Sequence, residues 1–388
     1  MQTLYSFLMA GSLVVAKAPM STRMLDGIMS RKQGIVSSGA ATSTLESGIL
    51  AIAIEVAIEQ YPDSKDKLSD YLAQVLDTVA VDLGDAHQDA AKPLDRFSVA
   101  TSIENAALSE LFPQSQAAAA AYDAINKSLA LQTRNPDGGL WYYVYPEWSY
   151  LDGVFSLLPF MASLPSPNYT DMALQVSLLK DHCYHKGSGL YVHGYDWSRT
   201  AVWADPKTGA STYVWGRSLG WFLSGLVQTW ERLSCAVEPQ SAEKSAFCSE
   251  IQQITSDAAR NLVAVADSTT GAWWQLPTVA GREGNFLESS STALFIFALL
   301  KGTRTGMLYS KTNVYREAAL RAYSYARCKF VQDTENGTVG YDKTVAVCSL
   351  NSTATYEYYT QRPIVPNGLL GEAGFVLASL EVERLEVR

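Results

Sequence analysis

Apolar residues return every three or four positions in about a dozen segments of this chain, the spacing of one helix face. The spacing predicts helices near 21–31, 44–60, 64–84, 97–111, 115–133, 150–163, 168–183, 212–233, 247–266, 286–303, 312–329 and 366–384. A chain of this kind must pack helix on helix, because each apolar stripe needs another element to cover it. Every second segment goes further. "GILAIAIEVAI", "GVFSLLPFMA" and "STALFIFALL" leave little polar face, and a helix apolar all round belongs inside. The connectors alternate as well. They are short after the second, fourth, sixth and tenth helices, and intermediate after the eighth. After the fifth, seventh, ninth and eleventh they are long and rich in Gly, Trp and Tyr. Helical hairpins stack so that neighbours bury each other's faces. Six hairpins, each with its inner helix after a long loop, make an all-α (α/α)6 barrel with the long loops at one end. Short strands are expected around "GGLWYYVY", "GLYVHGY" and "GAWWQLP".

The 388 residues are 47% hydrophobic, ample for a large core, and no linker-like stretch divides them. One domain over 19–388 is the expectation. The net charge is −9 and no basic run or stripe is present, which argues against nucleic acid as a partner. The opening "MQTLYSFLMAGSLVVAKA" has an apolar stretch ending in Ala-Lys-Ala. It reads as a signal peptide over residues 1–18, although its start lacks Lys or Arg. It is short for a membrane span, and no later segment looks transmembrane. Sequons at Asn126, Asn168, Asn336 and Asn351 point the same way, towards a secreted glycoprotein. Five cysteines cannot all pair. Cys235 with Cys248 and Cys328 with Cys348 each flank a polar loop and are candidate local disulfides, leaving Cys183 free.

In the toroid the long loops all feed inner-helix N-termini, so the unusual residues of the sequence gather at one end. Asp152 precedes "GVFSLLPFMA", Asp95 opens "DRFSVA", Trp215 and Arg217 stand in "VWGRSLGW", and Glu288 in "GNFLESSS". A bland account makes the carboxylates helix N-caps. That account does not explain why aromatic loops accompany them. Two carboxylates at the mouth of an aromatic-lined cavity suit glycoside hydrolysis. The four His residues (87, 182, 185 and 193) form no metal-ligand motif, so neither a metal nor another cofactor is expected.

Three stretches are specific enough to carry a resemblance: "DGGLWYYVYPEWSYLDG" (137–153), "GLYVHGYDWSRTAVWADPKTGASTYVWGRSLGWF" (189–222) and "GAWWQLPTVAGREGNFLESSSTALFIFALLKG" (271–302). Together they resemble the unsaturated rhamnogalacturonyl hydrolases, glycoside hydrolase family 105, and the likeness runs from "RMLDGIMSR" to "IVPNGLLGEAGFVLA". The resemblance implies the (α/α)6 fold, no metal, and removal of a 4,5-unsaturated galacturonic acid from the non-reducing end of rhamnogalacturonan oligosaccharides. In that chemistry an Asp protonates C4 of the enol ether, water adds at C5, and the hemiketal opens. Carried over, Asp152 is the proton donor and Asp95 its partner carboxylate. His193, Trp215, Trp221, Tyr142, Tyr150 and Trp141 become substrate contacts, and Arg217 offers a planar fork for the substrate carboxylate. Glu288 reads as structural. Tyr142 stands where many relatives have His, and Tyr150 where Trp is common; both bear on which sugar is taken. Burial among Trp141, Trp148 and Tyr150, with Asp95 nearby, is expected to raise the Asp152 pKa and give an acidic optimum set by the pair. The expected partner is an unsaturated uronyl oligosaccharide, acted on by a monomer. Other readings are a glucuronyl hydrolase of the same chemistry, a sugar epimerase on the same toroid, and a non-catalytic carbohydrate-binding protein.

Overall fold

The computed structural model describes residues 18–143, 147–237, 241–334 and 337–386. Its helices are α1 (Met20–Ser30), α2 (Ser43–Gln60), α3 (Lys65–Ala80), α4 (Ala86–Asp89), α5 (Arg96–Leu108), α6 (Gln116–Leu131), α7 (Val154–Ser163), α8 (Tyr169–Cys183), α9 (Gly216–Arg232), α10 (Ala242–Ala264), α11 (Ser289–Arg304), α12 (Val314–Lys329), α13 (Tyr356–Thr360) and α14 (Leu369–Glu386). All twelve expected helices are present. The short α4 and α13 lie inside connectors and had no apolar period to announce them.

The inner helices pack in a closed cycle: α2 on α5, α5 on α7, α7 on α9, α9 on α11, α11 on α14, and α14 back on α2. The outer helices α1, α3, α6, α8, α10 and α12 each lie against this cycle. This is the (α/α)6 barrel, and its inner helices are the segments with almost no polar face. Leu294, Phe295, Ile296 and Phe297 on α11 are all buried, on every side of the helix. Close approach at glycine tightens the ring. A Cβ at Gly225 on α9 would stand 2.5 Å from the carbonyl oxygen of Val154, so only Gly lets α9 lie this close to the start of α7.

The β structure among the described residues is six short strands in two-stranded pairs: β1 (Trp148–Tyr150) with β4 (Gly194–Asp196), β2 (Tyr184–His185) with β3 (Leu190–Tyr191), and β5 (Val331–Asp333) with β6 (Val339–Tyr341). Of the expected strands, "GLYVHGY" holds β3 and β4. Among the described residues, "GGLWYYVY" (whose last two residues lie outside them) and "GAWWQLP" contribute isolated bridges, Arg134 to Leu140 and Trp274 to Leu287, rather than strands. The β1–β4 pairing sets Tyr150 opposite Gly194 and fixes the approach to α7.

Cys235 and Cys248 form the expected disulfide between α9 and α10. The second expected pair does not form. Cys328 is exposed on the last turn of α12, whereas the chain beyond β6 carries Cys348 inward to a buried position. Cys183 is free and buried. Residues 1–17 of the expected signal segment and the sequon at Asn336 lie outside the described residues. No helix among the described residues is long and apolar enough to cross a membrane.

Candidate active site

A cavity of about 190 Å³ opens at the end of the barrel where the inner helices begin. Thr42 and Leu45 come from the start of α2, and Trp215, Arg217 and Trp221 from the start of α9. Tyr142, Tyr143, Tyr150 and Asp152 come from the segment leading into α7, and Leu370 from α14. One side is closed by the loop before α13, through Val347, Cys348, Ser349 and Asn351.

Asp152 is 5% exposed and caps nothing. It sits in a tight turn over residues 151–153, and α7 starts only at Val154 with Gly153 in the capping place. Its Oδ2 instead accepts a hydrogen bond from the Ser218 hydroxyl and stands 3.6 Å from Nε2 of His193. The β1–β4 ladder places it, since Leu151 N–H donates to the His193 carbonyl just after that ladder. Burial raises its pKa to about 6, against the Ser218 hydrogen bond and the nearby Arg217 charge. Asp95 also caps nothing with its side chain. It is buried, its Oδ1 accepts from the Tyr142 hydroxyl at 2.8 Å, and its Oδ2 has no partner. Burial, and the charge of Asp152, raise it to about 7 against the Tyr142 hydrogen bond. The N-cap account therefore fails for both. Glu288 shows what an N-cap does: it accepts from the Ser290 and Ser291 amides and from Val345 N–H, which makes it structural as expected.

Arg217 is 1% exposed and is the one cation among the described lining residues. It has no carboxylate partner among them. Its guanidinium donates to the carbonyls of Val345 at 2.6 Å and Ala346 at 3.0 Å, and lies 4.9 Å over the Trp215 ring. The rings of Tyr142, Tyr150, His193 and Trp215 touch in succession at 4.9, 5.1 and 4.6 Å, forming a continuous wall behind the carboxylates.

The sequence profile of Glycosyl Hydrolase Family 88 matches residues 23–386, almost the whole described chain. The chain belongs to that family. Its barrel superposes on a family 105 glycoside hydrolase from C. acetobutylicum ATCC 824 with a TM-score of 0.81, at 24% identity, covering 94% of this chain and 99% of that one. It superposes on the unsaturated glucuronyl hydrolase of Bacillus sp. GL1 with a TM-score of 0.61, at 13% identity, covering 90% of this chain and 88% of that one. At these identities the likeness speaks for the fold. In sequence, Protein Atu3128 of Agrobacterium fabrum is 29% identical over 203 residues, 50% of this chain and 82% of that protein. The family 88 match and the family 105 fold agree with the resemblance read from the motifs.

Within this family 88 barrel, Asp152, Trp215, Arg217, Trp221, Tyr142 and Tyr150 reach the cavity wall. Two expected contacts do not. His193 is wholly buried behind Asp152, with Nδ1 2.8 Å from the Tyr359 hydroxyl, and burial holds its pKa down at about 3, so it stays neutral. Trp141 is off the lining because its backbone is tied to Thr133 and Gln132, which leaves Tyr142 and Tyr143 on the cavity side. Asp95 is one layer back, reached through Tyr142. Nor does Trp148 bury Asp152, since its ring packs on Trp203 at 5.2 Å. Sequence reasoning passed over Ser218, Tyr359 and the 347–351 loop. Ser218 had a signal, as the residue after Arg217 in "WGRSLGW". Tyr359 had none, because its partner lies 166 positions away.

Tyr142→Phe tests the carboxylate pairing. The lost hydrogen bond was lowering the Asp95 pKa, so in the variant it rises above about 7. A buried acid with a raised pKa contributes stability that is full below its unfolded value, and that stability is lost as pH rises through the folded value. In urea titrations at several pH values, wild-type stability is expected to fall from mildly acid pH to about 7. In Tyr142→Phe the fall should continue to higher pH. Identical pH profiles would show that Tyr142 does not hold Asp95.

Proposed function

We propose that the protein removes a 4,5-unsaturated galacturonic acid from the non-reducing end of rhamnogalacturonan oligosaccharides by hydrating the enol-ether double bond. The observation that carries this reading is Asp152: a buried carboxyl at the wall of a sugar-ring-sized cavity, not used as a cap, and kept protonated to about pH 6 beside an Arg without a carboxylate partner. Asp152 gives its proton to C4. Water adds at C5, losing a proton to the Asp152 carboxylate. The hemiketal at C5 opens by breaking its bond to the ring oxygen, which takes up the hydroxyl proton and leaves a C5 ketone. The hemiacetal so exposed at C1 collapses to an aldehyde and releases the leaving sugar as an alcohol. Arg217 is placed to offset the substrate carboxylate. The small closed cavity suits a terminal residue rather than the middle of a chain.

The same step on a glucuronyl substrate is the second reading, supported by the fold shared with the Bacillus glucuronyl hydrolase. An epimerase using paired His residues fits poorly, because no His stands among the described lining residues. The experiment is incubation with lyase-generated rhamnogalacturonan and glycosaminoglycan oligosaccharides in parallel, following loss of the enol-ether absorbance. Preferential loss with the rhamnogalacturonan series supports the first reading, preference for the other supports the second, and no loss with either refutes both. Secretion belongs to the same proposal, supported by the Cys235–Cys248 disulfide and the exposed sequon asparagines Asn126, Asn168 and Asn351.

A further inference from the structure

The barrel has a larger cavity at its other end. It holds about 600 Å³, within the roughly 300–1,000 Å³ of ordinary small-molecule sites. The inner faces of α2, α5, α7 and α9 line it, and Leu108, 77% exposed, marks its opening to solvent. It is distinct from the catalytic cavity. Trp221 lines one and Phe155 the other, and their rings meet at 4.7 Å as the partition.

Its walls hold polar atoms that the protein does not satisfy. Ser156 is 1% exposed, yet its Oγ has no hydrogen-bond partner among the described residues, and Oε1 of Glu55 has at most a loose contact with Ser102 there. Leaving such groups unpaired away from water is unfavourable, and a ligand that pairs them gains from it. Pro159, inside α7 and on the cavity wall, has no N–H to give the carbonyl of Phe155 one turn earlier. The Ser98 and Thr101 hydroxyls already donate to the Asp95 and Phe97 carbonyls, at 2.7 and 3.0 Å, and present only lone pairs. The lining therefore offers both kinds of group, lone pairs on Ser98 and Thr101 and hydroxyl hydrogens on Ser156 and on Glu55 when it is protonated, and hydroxyls, which donate and accept, meet both.

Charge narrows the class. At the mouth Glu231 pairs with Lys301 and Arg304, and Arg232 donates to Asn105 Oδ1 at 2.6 Å. Glu231 neutralises Lys301 and Arg304, and Arg232 is held by Asn105 with its charge acting on Glu55; a comparison with galacturonate decides whether it also draws an anion. Glu55 is raised to about 7 by burial, so below neutral pH it has no fixed charge with which to hold a cation. Phe155, Ile52, Val56 and Pro159 supply apolar wall for the ring face of a sugar.

We propose that this far cavity is a second binding site, for a small uncharged polyhydroxylated molecule of monosaccharide size. The proposal does not depend on the reaction assigned to the catalytic cavity. D-Galactose serves as the probe, in soaked crystals and in calorimetric titration of the full chain. Two variants are needed in case one fails to fold: Glu55→Leu removes a polar partner from the wall, and Gln228→Phe fills the mouth. Sugar density against Ser156 and Glu55 is expected. So is solution binding that survives Asp152→Asn and weakens roughly tenfold or more in either folded variant. Four results would each overturn the proposal: ordered water alone in the soaked cavity, binding at crystal concentration only, equal affinity in the folded variants, or preference for galacturonate or putrescine over the neutral sugar.

Discussion

Asp152→Asn is expected to lower turnover of the unsaturated oligosaccharide by roughly 10²–10⁴, the worth of a general acid–base group, while the protein still folds. Asn is nearly isosteric and can still accept from the Ser218 hydroxyl, but it cannot donate a carboxylic proton. A purely structural Asp predicts the reverse pattern. The Ser218 hydrogen bond would survive, turnover would be near normal, and only Asp152→Ala would cost stability. The pH dependence adds a second readout. The donor form is the protonated one, so activity should fall as pH rises through about 6. Asp95, raised to about 7 in part by the charge on Asp152, titrates with it, and the profile reports the pair. An acidic optimum in the wild type, lost along with turnover in the Asn variant, is the expected result. A folded Asn variant with near-normal turnover would remove Asp152 from the chemistry.

The barrel was readable because its signal is local and repeated. Each inner helix announces itself within its own dozen residues, and the long loops say which end of each hairpin is elaborate. Asp152 was readable for a similar reason: a carboxylate between aromatic residues and an apolar run is anomalous where it stands. What escaped depends on contacts across the chain. Cys328 and Cys348 flank one loop, but spacing does not reveal that one ends on an outer helix and the other at the cavity wall. His193 and Trp141 lie in the correct motifs, yet a motif gives neighbourhood and not facing. Trp141, off the cavity, and Tyr142, on it, are neighbours in the chain. The cap reading of the two carboxylates failed for a geometric reason. Asp152 lies within a tight helical turn over 151–153 that runs on into α7, and Asp95 already has helical backbone angles, φ −53° and ψ −32°, where a capping residue is normally extended. Tyr359 and the 345–351 loop come from the last hairpin and are pinned by partners more than 100 residues away, Arg217 and Tyr150 among them.

That loop changes what is expected of Arg217→Lys. The sequence alone points the fork at the substrate carboxylate. In the barrel it also ties down the Val345 and Ala346 carbonyls, and so holds the stretch that puts Val347, Cys348 and Ser349 on the cavity wall. A lysine ammonium is a point charge that cannot span two carbonyls and still meet a carboxylate in a planar fork. Two losses should therefore appear together. One buried carbonyl left without its donor costs about 1–3 kcal/mol of stability. Loss of charge-assisted hydrogen bonds to the substrate, worth about 1.5–3 kcal/mol, corresponds to a fall of roughly ten- to a hundredfold in kcat/KM. The two roles separate by measurement. A loop clamp alone lowers the melting temperature and leaves kcat/KM for the unsaturated oligosaccharide close to wild type at temperatures where the variant is fully folded. A carboxylate ligand keeps its kinetic defect at those temperatures. The cavity has no other cation among its described lining residues, and among the described residues the guanidinium's hydrogen bonds go to the Val345 and Ala346 carbonyls and the Ser290 hydroxyl rather than to a carboxylate. The kinetic defect is therefore expected to persist, and a fully folded Arg217→Lys enzyme with unchanged kcat/KM would reduce Arg217 to a fastening for the loop.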